Sequence, residues 1–187
     1  MRIALYTLDT DKRKAETIAS MTGDKYQLGK MDGGEGCAVQ MSFQKVGKIE
    51  NYRLDERTKC EIADSVGLLS AVDSVVFIMH AYPGKLCPQG AKCGNVNIAS
   101  NGAAWDLLEL RTLLMAWGAS SVYFLCCEFG AHRNRDLGEP FRVHDGPDFA
   151  SQGLRAGTRI FAMEEKVFIN SGMPVLSEGF YTRKLTR

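Results

Sequence analysis

Two apolar runs end in residues suited to covalent chemistry. Ser74-Val-Val-Phe-Ile-Met-His80 finishes on an imidazole, and Val122-Tyr-Phe-Leu-Cys-Cys127-Glu128-Phe-Gly130 carries a thiol at its close. A thiolate is a strong nucleophile, and an imidazole can take its proton and later return one to a leaving group. Free thiols ionise only near about pH 8.5, so a neighbouring imidazolium favours the reactive form. In an open parallel sheet, reactive groups gather outside the carboxyl ends of the strands, where a His and a Cys from two strands can share one crevice. His80 and Cys127 are therefore the candidate catalytic pair. Cys126 is the alternative nucleophile, because successive strand residues point to opposite faces.

The elements that must position this pair follow from apolar spacing and turn residues. Arg2 to Thr7 reads as a strand, followed by a helix from Thr10 to about Met21 that Asp9 or Thr10 caps and Gly23 ends. Gly33, Gly34 and Gly36 predict a turn before Ala38 to Val46, which alternates as a strand or hairpin. Thr58-Lys-Cys-Glu61 fits a capping box, with apolar Ile62, Val66 and Leu69 continuing a helix from about Lys59 to Ala71. The strand Val75 to His80 comes next and exits at Tyr82-Pro-Gly84. Residues 81 to 101 have the composition of an irregular loop, with a short extended piece at Asn95 to Ala99.

Asn101-Gly is placed to cap a helix from Ala103 to Trp117, with Ala104, Leu107, Leu108, Leu114 and Met115 forming the face laid on a sheet, and Gly118 ending it. Strand, helix, strand, with both strands apolar throughout, predicts a right-handed parallel crossover. From Glu128 to Gly157 the chain is polar and punctuated, with a short helix near Phe149 to Arg155. Arg159 to Met163 and Lys166 to Ile169 are the final strand candidates. Trp105 and Trp117 read as packing residues, and His132 and His144 as solvated loop residues.

Composition narrows the function classes. At 187 residues, 45% hydrophobic and 24% charged, the chain reads as one ordinary globular domain without an internal repeat. Lys plus Arg number 23 against 22 for Asp plus Glu, so no bulk positive field attracts nucleic acid or an anionic membrane. The opening is too brief and too charged for a signal peptide, and no run approaches the roughly 20 apolar residues of a membrane span. A soluble, cytoplasmic protein is expected. Cys37, Cys60, Cys87, Cys93, Cys126 and Cys127 then read as reduced thiols. The spacing of Cys87 and Cys93 is looser than a zinc knuckle and lacks a second pair, so neither a metal nor a cofactor is expected.

The order of His and Cys, 47 positions apart, lies close to the roughly 50 found in caspases. Cys127-Glu-Phe-Gly130 is similar to the Cys-Glu-x-Gly stretch at the nucleophile of CHAT-type peptidases. Asn95-Val-Asn-Ile-Ala-Ser-Asn-Gly102 is similar to the extended piece before their helix, and Ala156-Gly-Thr-Arg159 to a downstream feature. From about residue 72 to 165 the chain thus resembles the caspase-like (clan CD) cysteine peptidases. The resemblance implies a three-layer α/β sandwich with a mostly parallel central sheet. It also implies an endopeptidase that cleaves peptide bonds through an acyl-enzyme, with a polypeptide substrate as partner and a regulatory protein as a second candidate. Cys127 attacks the carbonyl and His80 moves the proton. The family has Gly directly after its His, where this chain has Ala81 and then Tyr82-Pro-Gly84. The amides of Cys127, Ala81 and Gly84 are the candidate oxyanion donors. Asp136, Asp145 and Asp148 form an acidic loop that reads as solvated.

The same letters support a second chemistry. Cys127-Glu-Phe-Gly130-Ala-His-Arg133 spells the Cys-x-x-Gly-x-x-Arg signature of cysteine-dependent phosphatases, in which loop amides and Arg cradle a phosphate. Gly130 and Arg133 are the phosphate-binding residues on that reading. The helix that should follow is interrupted by Gly138 and Pro140. A third reading is a non-catalytic α/β binding or regulatory module with both thiols in its core.

Overall fold

A computed structural model describes residues 2–20, 36–46, 51–67, 72–88, 104–131, 146–167 and 178–187. In chain order the elements are β1 (Arg2–Tyr6), α1 (Lys12–Ser20), β2 (Cys37–Gln40), β3 (Phe43–Val46), β4 (Asn51–Leu54) and α2 (Glu56–Gly67). They continue with β5 (Ser74–Ile78), β6 (His80–Tyr82), β7 (Lys85–Cys87), β8 (Ala104–Trp105), α3 (Leu107–Trp117) and β9 (Ser121–Leu125). The last are α4 (Gly146–Ser151), β10 (Arg159–Ala162) and β11 (Arg183–Thr186).

Six strands form a central sheet in the order β11-β10-β9-β5-β1-β2. All neighbours in it are parallel except β10 and β11. β1, β5 and β9 are buried at every residue, as strands covered on both faces must be. Their period of two divides the core. Ile3, Leu5, Val75, Phe77, Val122 and Phe124 meet Ile62 of α2, Leu110 and Leu114 of α3 and Ala150 of α4. Ala4, Tyr6, Val76, Ile78, Tyr123 and Leu125 meet Ala15, Ile18 and Ala19 of α1. The result is a mixed α/β fold with helices on both faces of a mostly parallel sheet. Arg2 is buried, and its guanidinium donates to the carbonyl of Ile18 at 2.9 Å, satisfying one of the orphan carbonyls at the end of α1.

The β5–α3–β9 unit was foreseen, and its two strands are adjacent and parallel. Its details differ from expectation in three places. The helix starts at Leu107, capped by Asp106, whose carboxylate accepts the Leu108 amide at 3.0 Å. Ala104 and Trp105, expected inside it, form β8 beside β4. Leu110 and Leu114 are its buried residues, whereas Leu108 and Met115, expected on the packed face, are 48% and 53% exposed. The stripe that faces the sheet runs Leu107, Leu110, Leu114, Trp117 at three- and four-residue steps, which leaves 108 and 115 on the outside. Gly118 ends the helix as expected, at φ 62° with its amide on Leu114 O.

Other boundaries move for equally local reasons. α2 begins at Glu56, because Asp55 rather than Thr58 caps it: the Asp55 carboxylate accepts the Thr58 amide at 2.7 Å. Thr58 is buried, and its hydroxyl instead accepts the Ser42 amide at 3.1 Å. A short 3-10 turn at Asp9–Asp11 precedes α1 and has no side-chain cap. The run Ala38 to Val46 divides between β2 of the large sheet and β3, which pairs antiparallel with β4. Chain 81–88, expected to be irregular, holds the hairpin β6–β7. The short helix near Phe149 runs instead from Gly146 to Ser151. Lys166 and Val167 are not in a strand, and the sixth strand is β11 near the carboxyl end.

Candidate active site

The ladder between β5 and β9 ends on the pair Ile78–Leu125. His80 and Cys127 each stand two residues beyond that rung, on the same side of the chain as Ile78 and Leu125. The residues between them, Met79 and Cys126, join the opposite core with Phe77 and Phe124. Alternation therefore continues past the last paired residues, and it aims His80 and Cys127 toward the α1 side of the sheet.

There the two residues line one cleft of about 170 Å³ with Leu8, Thr10, Asp11, Lys14 and Val167. Its location follows from topology. The chain runs from β1 to β2 on one side and later places β5 on the other, so strand order reverses between β1 and β5. A crevice outside the carboxyl ends is expected at such a reversal. The loop after β1 and the first turn of α1 form one wall, and the exits of β5 and β9 form the floor. Lys14 and Asp11 pair at 3.2 Å, so this wall presents one cation and one anion with no net charge.

His80 is exposed and Cys127 is half-buried, so solvent reaches both. Among the described residues Val167 orients the sulfur of Cys127: its amide donates to Sγ at 3.3 Å, and the thiol lies 3.7 Å from its carbonyl. Cys126 is in a different environment. It is 0% exposed, its thiol donates to Phe77 O at 3.5 Å, and burial pushes its ionisation far above the ordinary thiol range. Of the two adjacent sulfurs, the cleft receives that of Cys127.

The chain turns sharply after the thiol. Glu128 has φ 56°, the left-handed region that costs a side-chain-bearing residue of the order of 1 kcal/mol. Beyond it, the Glu128 amide donates to Glu165 O at 3.0 Å and the Gly130 amide to Met163 O at 2.8 Å, tying this turn to the chain leaving β10. Gly130 is packed tightly, since a Cβ there would lie 3.1 Å from both Ala162 Cβ and Met163 O. Its carbonyl accepts from Arg183 at 2.7 Å. The amides of Glu128 and Gly130 are thus already paired with carbonyls of the segment that follows β10. Arg133 lies outside the described residues, as do Cys93, His132, His144, Asp136, Asp145 and the stretch Asn95 to Gly102.

Of the amides expected to hold an oxyanion, that of Gly84 donates to Phe129 O at 3.3 Å, at the turn of the hairpin where Gly84 has φ 71°. Ala81 is the middle residue of β6, opposite Leu86. Asp148 is held on α4 by Arg187, which also donates to the Ser151 hydroxyl at 2.6 Å. Among the described residues, no group of three or more His, Cys, Asp or Glu converges to hold a metal. None of the described helices is long and apolar enough to cross a membrane.

Asp11, Lys14 and Val167 are cleft residues that carry no motif in the sequence. The only sequence signal for the first two was their place just after the first strand, in the helix start of a β-then-α opening. No family model, curated protein or solved structure matches this chain.

Proposed function

We propose that this chain is a cysteine peptidase of the caspase-like type, with Cys127 as nucleophile and His80 as the group that moves the proton. One observation carries the reading: an exposed imidazole and a half-buried thiol, 47 positions apart, line the same cleft at the ends of adjacent parallel strands. Nucleophilic acyl transfer needs that pairing, together with room for a carbonyl group beside the sulfur. The cleft opens at the strand-order reversal, and the alternation that buries Cys126 leaves the sulfur of Cys127 on the cleft side.

In this mechanism His80 takes the thiol proton and Cys127 attacks the scissile carbonyl. The imidazolium then protonates the leaving amine, and water resolves the thioester. A soluble peptide acyloxymethyl ketone tests the assignment. It should alkylate Cys127 of the wild-type protein, and Cys127→Ala should abolish the adduct. Equal labelling of the two proteins would remove Cys127 from the mechanism.

A further inference from the structure

The amides around the nucleophile are mostly committed. Those of Gly84, Glu128 and Gly130 donate to the carbonyls of Phe129, Glu165 and Met163 at 3.3, 3.0 and 2.8 Å. The Val167 amide differs, because its acceptor is the reacting atom itself, Sγ of Cys127 at 3.3 Å. Val167 also lines the cleft with His80 and Cys127.

We propose that the main-chain N–H of Val167 is an oxyanion donor in this site. The inference deepens the acyl-transfer reading and rests on it. When the Cys127 thiolate attacks a carbonyl, an S–C bond forms and the C=O π pair moves onto oxygen. The sulfur, attacking with another of its lone pairs, becomes a neutral thioether and a weaker acceptor, and the new anion appears two bonds away from it. The same N–H then needs only a small shift to reach the roughly 2.7–3.1 Å at which a donor stabilises an oxyanion. Collapse of the adduct restores C=O and breaks the C–N bond as the imidazolium of His80 gives its proton to the departing nitrogen. Water attack on the thioester repeats the cycle, with the imidazole taking the water's proton and the sulfur leaving.

The donor is held in place before reaction, which is what makes such a group effective. Residues 163–165 are fixed by the Glu128 and Gly130 amides and by the Glu164 amide, which donates to the Thr182 hydroxyl at 2.8 Å. Val167 follows two residues later. No sequence motif announces this role, because any residue but proline carries the N–H.

The test separates oxyanion formation from thiol reactivity. Replacing the residue-167 amide by a backbone ester, with the valine side chain kept, deletes the N–H alone. p-Nitrophenyl acetate acylates a thiol through an oxyanion, whereas iodoacetamide alkylates it without one. The ester should slow acylation of Cys127 about 100-fold or more, the usual effect of losing one such donor, and alter alkylation by only a few-fold. Should the ester protein fail to fold, Val167→Pro also lacks the N–H and enters the same two assays. Parallel changes in both rates, or no change in either, would overturn the proposal. Wild-type Cys127 that takes iodoacetamide but never p-nitrophenyl acetate would instead remove the acyl-transfer reading, and the inference with it.

Discussion

Cys126 and Cys127 are chain neighbours, yet their thiols should differ in reactivity by at least about a thousandfold. Cys126 is completely buried in the core that contains Phe77 and Phe124, so an electrophile reaches it only when that core opens. Opening a core strand costs up to the global stability, about 5–15 kcal/mol for a folded domain, and each 1.4 kcal/mol is a factor of ten. Opening that costs about 5 kcal/mol already corresponds to a protection of several thousandfold. Desolvation of the Cys126 thiolate acts in the same direction. Cys127 lines the cleft and needs no such opening. The assay is iodoacetamide alkylation under native conditions of Cys126→Ala and Cys127→Ala, with adducts located by fragment mass spectrometry. In guanidinium the two thiols should react at similar rates. Folded Cys127→Ala whose Cys126 is alkylated within tenfold of Cys127 would refute the assignment of the two sulfurs to opposite faces.

Two further outcomes test local features. Asp55→Ala should cost about 1 kcal/mol through loss of the α2 cap, lowering Tm by roughly 2–4 °C. The Asp55 carboxyl is held below the usual carboxylate range, first by its hydrogen bonds with Thr58, so the cap's contribution is present above the unfolded-state value and is lost as pH falls through the folded one. The gap between wild type and variant in thermal unfolding should therefore close as the solution is acidified; a gap independent of pH would contradict the cap. Glu128→Gly should relieve the left-handed strain and stabilise the fold by up to about 1 kcal/mol, since glycine adopts φ 56° without steric cost. A lower Tm would show that the Glu128 side chain contributes more than its backbone strain costs.

Much of the central sheet was legible because its strands are buried on both faces. Ser74–Ile78 and Ser121–Leu125 stand out as continuous apolar runs, and Gly118 marks the end of the helix between them. The carboxyl edge was less legible: β11 reads Arg-Lys-Leu-Thr, with alternate half-buried and exposed residues and little apolar character. The hairpin β6–β7 has the sequence character of a loop because each strand has three residues and its turn carries Pro83 and Gly84. Helix starts were ambiguous wherever two capping residue types stood close together, as with Asp55 and Thr58. The start of α3 at Leu107 rather than Ala103 goes with the strand pairing of Trp105, whose ring centroid sits 5.2 Å from that of Phe43 and 5.7 Å from that of Phe77.

The site was legible only in its strand-end members. His80 and Cys127 each carry a local signal, a reactive side chain at the close of an apolar run. Asp11 and Val167 reach the cleft through strand order, which local spacing does not encode. Their positions follow from β1 lying beside β5 and from β10 lying beside β9.

The joint action of His80 and Cys127 is the claim on which the functional reading stands. Intact-mass spectrometry of the protein mixed rapidly with an activated peptidyl ester addresses it directly. Wild type should accumulate a thioester on Cys127 that water then clears. His80→Ala should form and clear that species about 10²–10⁴ times more slowly, the usual contribution of a positioned acid–base group. A thioester that forms and hydrolyses at the same rates without the imidazole would contradict the account.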